Sequence, residues 1–294
     1  MARKKKGKQD NKTLLMYLLA AVILAGGFWY SFDGTARIQR WLWNRERVPV
    51  NAHFYLHDSI PQKTIEVIGQ RFYQPEWFTQ GFTIYGRRLW VGTGQRGRSK
   101  VIEAGLYRDT TYQQVNLPDQ YFGEGIAIVR DSLIYQLTYQ SRVAFVYQMD
   151  NLERLRTFNY QTEGWGLEYW PEEDLLIQSD GTEKLYFRDP DDFSVVKSVS
   201  VKDDYGKITK INELELIERE LWANLWGTET IIQIDPATGE VVSQVDAAPV
   251  MRKVRRNAIT GVLNGIAYDA QREIIWLTGK NWPKRYAVRL VEDE

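Results

Sequence analysis

The chain has 294 residues, of which 44% are apolar and 13% aromatic, including 11 Trp and 17 Tyr, and its formal charge is zero. This composition excludes a disordered chain, and because the basic groups concentrate at the N-terminus, the remainder is net acidic and excludes the footprint of a nucleic-acid binder. The lack of cysteine excludes disulfides, thiolate nucleophiles, Cys-based zinc sites and a lipid anchor on an N-terminal Cys.

In chain order, residues 1–12 form a basic tail, with Arg3, Lys4, Lys5, Lys6, Lys8 and Lys12 against Asp10 alone. Residues 13–32 then carry no charged side chain, about the length of helix that crosses a bilayer core. The basic tail is expected to stay in the cytoplasm, and Phe28-Trp29-Tyr30 reads as an interfacial aromatic belt. The expectation is an uncleaved transmembrane anchor that leaves the rest of the chain outside the membrane, periplasmic or extracellular. A cleaved signal peptide is the rival, since Ala25-Gly26-Gly27 offers small residues near the end of the apolar run, and the product would then be secreted. Residues 33–62 read as a linker. The only two histidines, His53 and His57, lie there four apart, and Pro49 argues against the helix that a metal pair would use.

From residue 63 to 294 one pattern recurs. Gln80-Gly81-Phe82, Glu124-Gly125-Ile126, Trp165-Gly166-Leu167, Asn212-Glu213-Leu214 and Asn264-Gly265-Ile266 follow one another at steps of 44, 41, 47 and 52 residues. Each opens a short strand pattern, and a second strand follows a polar turn, as in Leu133–Thr138 or Leu221–Trp226. Third and fourth strands follow, with Asp235-Pro236-Ala237-Thr238-Gly239 as one hairpin and the Gly-less Asp189-Pro190-Asp191-Asp192-Phe193 as another. Four strands at this period predict an all-β fold, a five-bladed β-propeller preceded by the transmembrane helix. The last unit ends at Leu290 without its outer strand, and Thr64–Phe72 is expected to supply it and close the ring.

Inner strands of a propeller line a central channel, so the residue before each repeated glycine is expected to face the axis at one mouth. Gln80, Glu124, Trp165, Asn212 and Asn264 then form a ring of one carboxylate, three amides and one large aromatic. Amides can orient an amide-bearing ligand, and a desolvated lone Glu124 can serve as general acid/base. Lys280 lies in Thr278-Gly279-Lys280-Asn281-Trp282-Pro283, where it can leave the strand, reach the mouth and pair with Glu124. Plain wall or core roles for the amides and Trp165, a turn for Asp180 in Ser179-Asp180-Gly181, and a channel calcium site on a thin ligand set remain open alternatives.

Together, Phe78-Thr79-Gln80-Gly81-Phe82, Phe122-Gly123-Glu124-Gly125-Ile126, Glu163-Gly164-Trp165-Gly166-Leu167, Ser179-Asp180-Gly181, Ile211-Asn212-Glu213-Leu214-Glu215, Ala223-Asn224-Leu225-Trp226, Leu263-Asn264-Gly265-Ile266 and Thr278-Gly279-Lys280-Asn281-Trp282-Pro283-Lys284 resemble the plant and bacterial glutaminyl-peptide cyclotransferases, a five-bladed propeller family. The resemblance implies an acyltransferase that turns the N-terminal glutamine of a peptide or protein into pyroglutamate and releases ammonia. It implies Glu124 as acid/base, with Lys280 beside it. Gln80, Phe122, Tyr139, Trp165, Asp180, Asn212, Asn224, Trp226 and Asn264 are implied as substrate contacts, and no metal or cofactor is required. Two departures stand out: the first-blade rim reads Gly94-Gln95-Arg96-Gly97-Arg98, and Tyr139 stands where the family tends to have Trp. The rivals are a membrane-tethered binding propeller without chemistry and a calcium-dependent hydrolase.

Overall fold

The computed structural model describes residues 60–291 except Tyr205. The basic tail, the anchor expected at 13–32 and the His53/His57 pair therefore lie outside the described residues. Contacts divide the chain into Met1–Val50 and Asn51–Glu294, and only the second unit contains described residues. Among these, no helix is long and apolar enough to cross a membrane.

The described chain is all-β apart from one four-residue helix, α1 (Ala248–Met251). Strand β1 spans Gln62–Phe72. Three four-stranded antiparallel sheets follow: β2 (Thr79–Tyr85), β3 (Arg88–Thr93), β4 (Lys100–Gly105) and β5 (Thr111–Asn116); β6 (Gly123–Val129), β7 (Leu133–Thr138), β8 (Val143–Gln148) and β9 (Arg154–Asn159); and β10 (Leu167–Trp170), β11 (Leu175–Ser179), β12 (Lys184–Arg188) and β13 (Val195–Ser200). A small hairpin of β14 (Lys202–Asp203) and β15 (Gly206–Lys207) comes next; the repeat pattern gave no sign of it. The rest is β16 (Ile211–Ile217), β17 (Glu220–Leu225), β18 (Thr230–Ile234), β19 (Val241–Asp246), β20 (Leu263–Asp269), β21 (Ile274–Gly279) and β22 (Lys284–Leu290). With β1 these form one eight-stranded sheet in the order β16-β17-β18-β19-β1-β22-β21-β20.

Strand β1 is the join. Its first residues, Gln62–Thr64, run parallel to Gln244–Asp246 of β19, and Ile65–Phe72 run antiparallel to Leu290–Lys284 of β22. The Thr64–Phe72 segment thus supplies the strand that the C-terminus lacks, as expected, and its leading residues also reach the preceding sheet. Strand β2 touches β6, β6 touches β10, β10 touches β16, β16 touches β20, and β20 returns to β2. The inner strands therefore form a closed cycle.

Burial follows each strand's place in its sheet. Strand β3 is almost wholly buried, whereas β5 alternates between exposed and half-buried, the pattern of an outer strand with one solvated face. The apolar core lies between neighbouring sheets; Trp90, Val101, Ile126, Ile134 and Phe145 pack as one cluster between the first two. The two hairpins solve one problem differently. Gly239 takes the positive φ of its turn at 81°, and in the Gly-less version Phe193 takes it at 63° while its ring stacks on Phe158 and Tyr135. Burial of that ring offsets a backbone conformation that side chains avoid.

Candidate active site

The site begins with a backbone irregularity repeated around the ring. Strands β2, β6, β16 and β20 lose register with their neighbours at Thr79/Gly81, Gly123/Ile126, Ile211/Leu214 and Leu263/Ile266. A bulge re-aims the side chain at the break, and the residues there are Gln80, Glu124, Asn212 and Asn264. The glycines beside them permit close approach of strands. A Cβ on Gly81 would lie 2.5 Å from the Ile126 amide nitrogen, and one on Gly125 would lie 2.5 Å from that of Leu167.

Three of the amides form a hydrogen-bonded chain. Asn212 Nδ2 donates to Asn264 Oδ1 at 2.7 Å, and Asn264 Nδ2 donates to the Thr79 carbonyl at 3.0 Å and to Gln80 Oε1 at 3.3 Å. Asn224 Oδ1, from β17, accepts the Gly265 amide at 2.8 Å. Asn212 Oδ1 and Asn224 Nδ2 are buried and take no hydrogen bond among the described residues. An acceptor and a donor left open on paired strands β16 and β17 suit the NH2 and C=O of a carboxamide.

Glu124 is 4% exposed and Lys280 2%. Burial pushes the Glu124 carboxyl well above the usual carboxylate range, and Lys280 draws it back down while Glu163 pushes it further up. Burial likewise holds the Lys280 ammonium down to about 8, against the pull of Glu124. Both groups are thus moved toward the neutral pair, the condition in which a proton changes hands at low cost. The Lys280 Nζ also lies 5.1 Å from the Phe78 ring centre. Its position comes from the turn after β21: Asn281 takes φ 57°, and its backbone and side-chain N–H groups donate to the Trp77 and Pro75 carbonyls.

Five half-buried rings touch in sequence. Phe78 meets Phe122 at 5.9 Å, Phe122 meets Tyr139 at 6.1 Å, Tyr139 meets Trp165 at 6.4 Å and Trp165 meets Trp226 at 6.3 Å. Trp165 Nε1 donates to Glu163 Oε2 at 3.2 Å, which fixes the indole. Asp180 shapes a turn. Its oxygens accept from the Thr182 amide and hydroxyl and from the Tyr186 hydroxyl, as in an Asx turn, while Gly181 beside it packs on the Trp165 ring.

Sequence reasoning missed the carboxylates deeper in the ring. Glu213, at the one repeat position where glycine is replaced, accepts the Phe82 amide at 3.1 Å and the Ile266 amide at 2.8 Å, joining strands of three units. Glu215 accepts the Tyr268 amide at 2.8 Å. Burial raises Glu213 and Glu215 well above the usual range, and pushes Glu168, which keeps intermediate exposure, up to about 8. The signal for Glu213 was its place in the repeat; for Glu215 it was the two-residue spacing that returns to the same face of β16. Among the described residues, no group of three or more His, Cys, Asp or Glu is placed to hold a metal ion.

A family model of glutamine cyclotransferases matches residues 44–290. The chain is 32% identical over 230 residues to a glutaminyl-peptide cyclotransferase of Arabidopsis thaliana, covering 77% of this chain and 71% of that protein. The structure is similar to the crystal structure of Myxococcus xanthus glutaminyl cyclase, with a TM-score of 0.74 and 33% identity over 80% of this chain and all of that one.

Proposed function

The chain belongs to the glutamine cyclotransferase family, and from that premise we propose that it cyclises an N-terminal glutamine to pyroglutamate and ammonia with Glu124 as the proton carrier. The observation that carries the assignment of Glu124 is the buried Glu124–Lys280 pair, each member displaced by burial toward its neutral form.

In the reaction the neutral α-amine attacks the γ-carboxamide carbon of the same residue. A C–N bond forms, the carbonyl oxygen gains negative charge, and the bond to the carboxamide nitrogen then breaks. Glu124 takes the proton from the attacking amine and returns it to the departing nitrogen, which leaves as ammonia. Lys280, in its charged form, faces the oxygen that becomes negative. Asn212 Oδ1 and Asn224 Nδ2 hold the carboxamide by its NH2 and C=O, while Gln80 and Asn264 fix Asn212. The wall of Phe122, Tyr139, Trp165 and Trp226 excludes water and keeps the reacting atoms together, the source of much of the rate in an intramolecular attack. Replacement of Glu124 by Gln should lower ammonia release from a Gln-initiated peptide by about 10²-fold to 10⁴-fold in a variant that still folds and melts cooperatively. A variant within a few-fold of wild type would remove Glu124 from the mechanism.

The sheets are read as five blades: the three four-stranded sheets and two halves of the eight-stranded one, divided at β1. The closed cycle of five inner strands supports this, and an experimental structure with any other number of blades would refute it. Residues 13–32 are proposed to remain as an anchor that holds the catalytic domain on the extracytoplasmic side. The uncharged run and the basic tail before it support that reading. The full chain should then stay with membranes through alkaline carbonate extraction; recovery of a shortened protein in the soluble fraction would favour the cleaved signal.

A further inference from the structure

The largest step in the repeat runs from Glu213, which stands where the other units have glycine, to Gly265. It is taken up by the connector between β19 and β20, residues 247–262. This connector contains Arg252, Lys253, Arg255 and Arg256 and no acidic residue. All four basic side chains are exposed, and Arg256 pairs with Glu229 at 3.3 Å. The chemistry of cyclisation makes no use of such a run.

Its location follows from the topology. Inner strands begin at the mouth that holds Glu124, so connectors from an outer strand to the next inner strand lie on the mouth face, together with the turns after each second strand. The connector is also fixed in place. Val254 is buried with Val250, Trp282 and Tyr286, and the Tyr286 hydroxyl donates to the Lys253 carbonyl at 3.0 Å. At its far end Gly261 N donates to the Lys280 carbonyl at 2.7 Å, Lys280 N donates to the Val262 carbonyl at 3.0 Å, and Trp282 Nε1 donates to the Gly261 carbonyl at 3.0 Å. Gly261 is five residues beyond Arg256, so Arg256, the near end of the basic run, lies within about 20 Å of the Lys280 backbone. A peptide extending from the site at about 3.3 Å per residue covers that distance in its third to sixth residues.

The opposite face carries the reverse charge, in turns such as Glu172-Glu173-Asp174 and Asp189 to Asp192. Charge of opposite sign at the two ends of the domain gives a field that draws an anionic segment to the mouth and turns it from the far end. On the mouth face Glu76 and Asp119 lie beside Arg98 and Lys100, with Arg96 in the same loop, so the rim next to β3 carries only a small net positive charge. The densest run of positive charge on this face is residues 252–256.

We propose that this connector is a basic lip that selects Gln-initiated peptides carrying acidic side chains at about their third to sixth positions. The proposal rests on the cyclase reading above. The test uses the full chain and three Gln-initiated hexapeptides with acidic, neutral or basic residues after the second position, assayed for ammonia release. The wild type should show a KM for the acidic peptide roughly 3- to 10-fold below that for the neutral one, with the gap closing at high salt. The combined variant Arg252→Gln, Lys253→Gln, Arg255→Gln, Arg256→Gln should lose the gap and keep its rate on the neutral peptide. No preference in the wild type, or the same preference in the variant, would overturn the lip. A retained preference with weaker binding to phosphatidylserine vesicles would overturn it in favour of an anionic membrane surface. Failure of the wild type to turn over any of the three peptides would refute the cyclase reading instead.

Discussion

Replacing Lys280 by Met should make the protein more stable and nearly inactive at once. Lys280 is 2% exposed, and burial lowers its ammonium from 10.5 to about 8. Holding that charge in the folded state at pH 7 costs about 3 kcal/mol, since each pH unit between the two values is worth about 1.4 kcal/mol. The folded pKa lies below the unfolded one. Below about pH 8 both states are charged and the full penalty stands, and between about 8 and 10.5 the folded state sheds its proton first and the penalty fades. Met at this position keeps the contact with Phe78 through its sulfur and removes the penalty. Part of the gain is returned, because Glu124 loses the cation that lowers its pKa, so the net increase at pH 7 is about 1–3 kcal/mol, or roughly 2–4 °C of melting temperature for each kcal/mol in a domain of this size. Turnover should fall about 10²-fold to 10³-fold with the loss of the oxyanion partner. Thermal melts of wild type and variant at pH 7 and pH 10, with ammonia release at pH 7, provide the check. A variant that is less stable at pH 7, by a margin that does not change with pH, would refute the account of Lys280 as a strained buried cation.

Glu213→Gln should destabilise the domain by about 1–3 kcal/mol in urea titration, since an amide NH2 would face one of the two backbone N–H groups that the carboxyl now accepts. Glu168 predicts a pH slope of the opposite sense to an ordinary ion-paired acid. Its folded pKa, at about 8, is above the unfolded value, so the folded state is favoured most at low pH, and stability declines from about pH 4.5 until the folded group titrates near 8. Melting temperatures across that range should fall in the wild type and fall less in Glu168→Gln.

Much of this was legible in the residues because it repeats. A side-chain period of two fixed which face of each strand is buried, and punctuation such as Asp235-Pro236 to Gly239 set the hairpins. The recurrence of a polar residue before glycine marked Gln80, Glu124 and Asn264, and the repeat spacing marked Asn212 before Glu213; the structure places all four at bulges. Trp165 had the same spacing but lies before β10, and its ring joins an aromatic row rather than the amide chain. Asp180, beside a glycine in the same way, spends its carboxylate on a turn. Spacing alone does not distinguish these outcomes, because each depends on which neighbour reaches the side chain first.

The sequence by itself determined the strand-rich class, the unit length and the borrowed strand at Thr64–Phe72, because these follow from local periodicity and turn chemistry. Only the tertiary structure decided which groups meet. That the Lys280 charge acts on the buried Glu124 of another unit, and that Glu213 bonds to Phe82 and Ile266, are consequences of ring closure, whereas Asn212 and Asn224 keep an acceptor and a donor open on one pair of neighbouring strands. Ring closure brings distant strands together where water is excluded, and in that setting pairing and burial set the charge of each side chain.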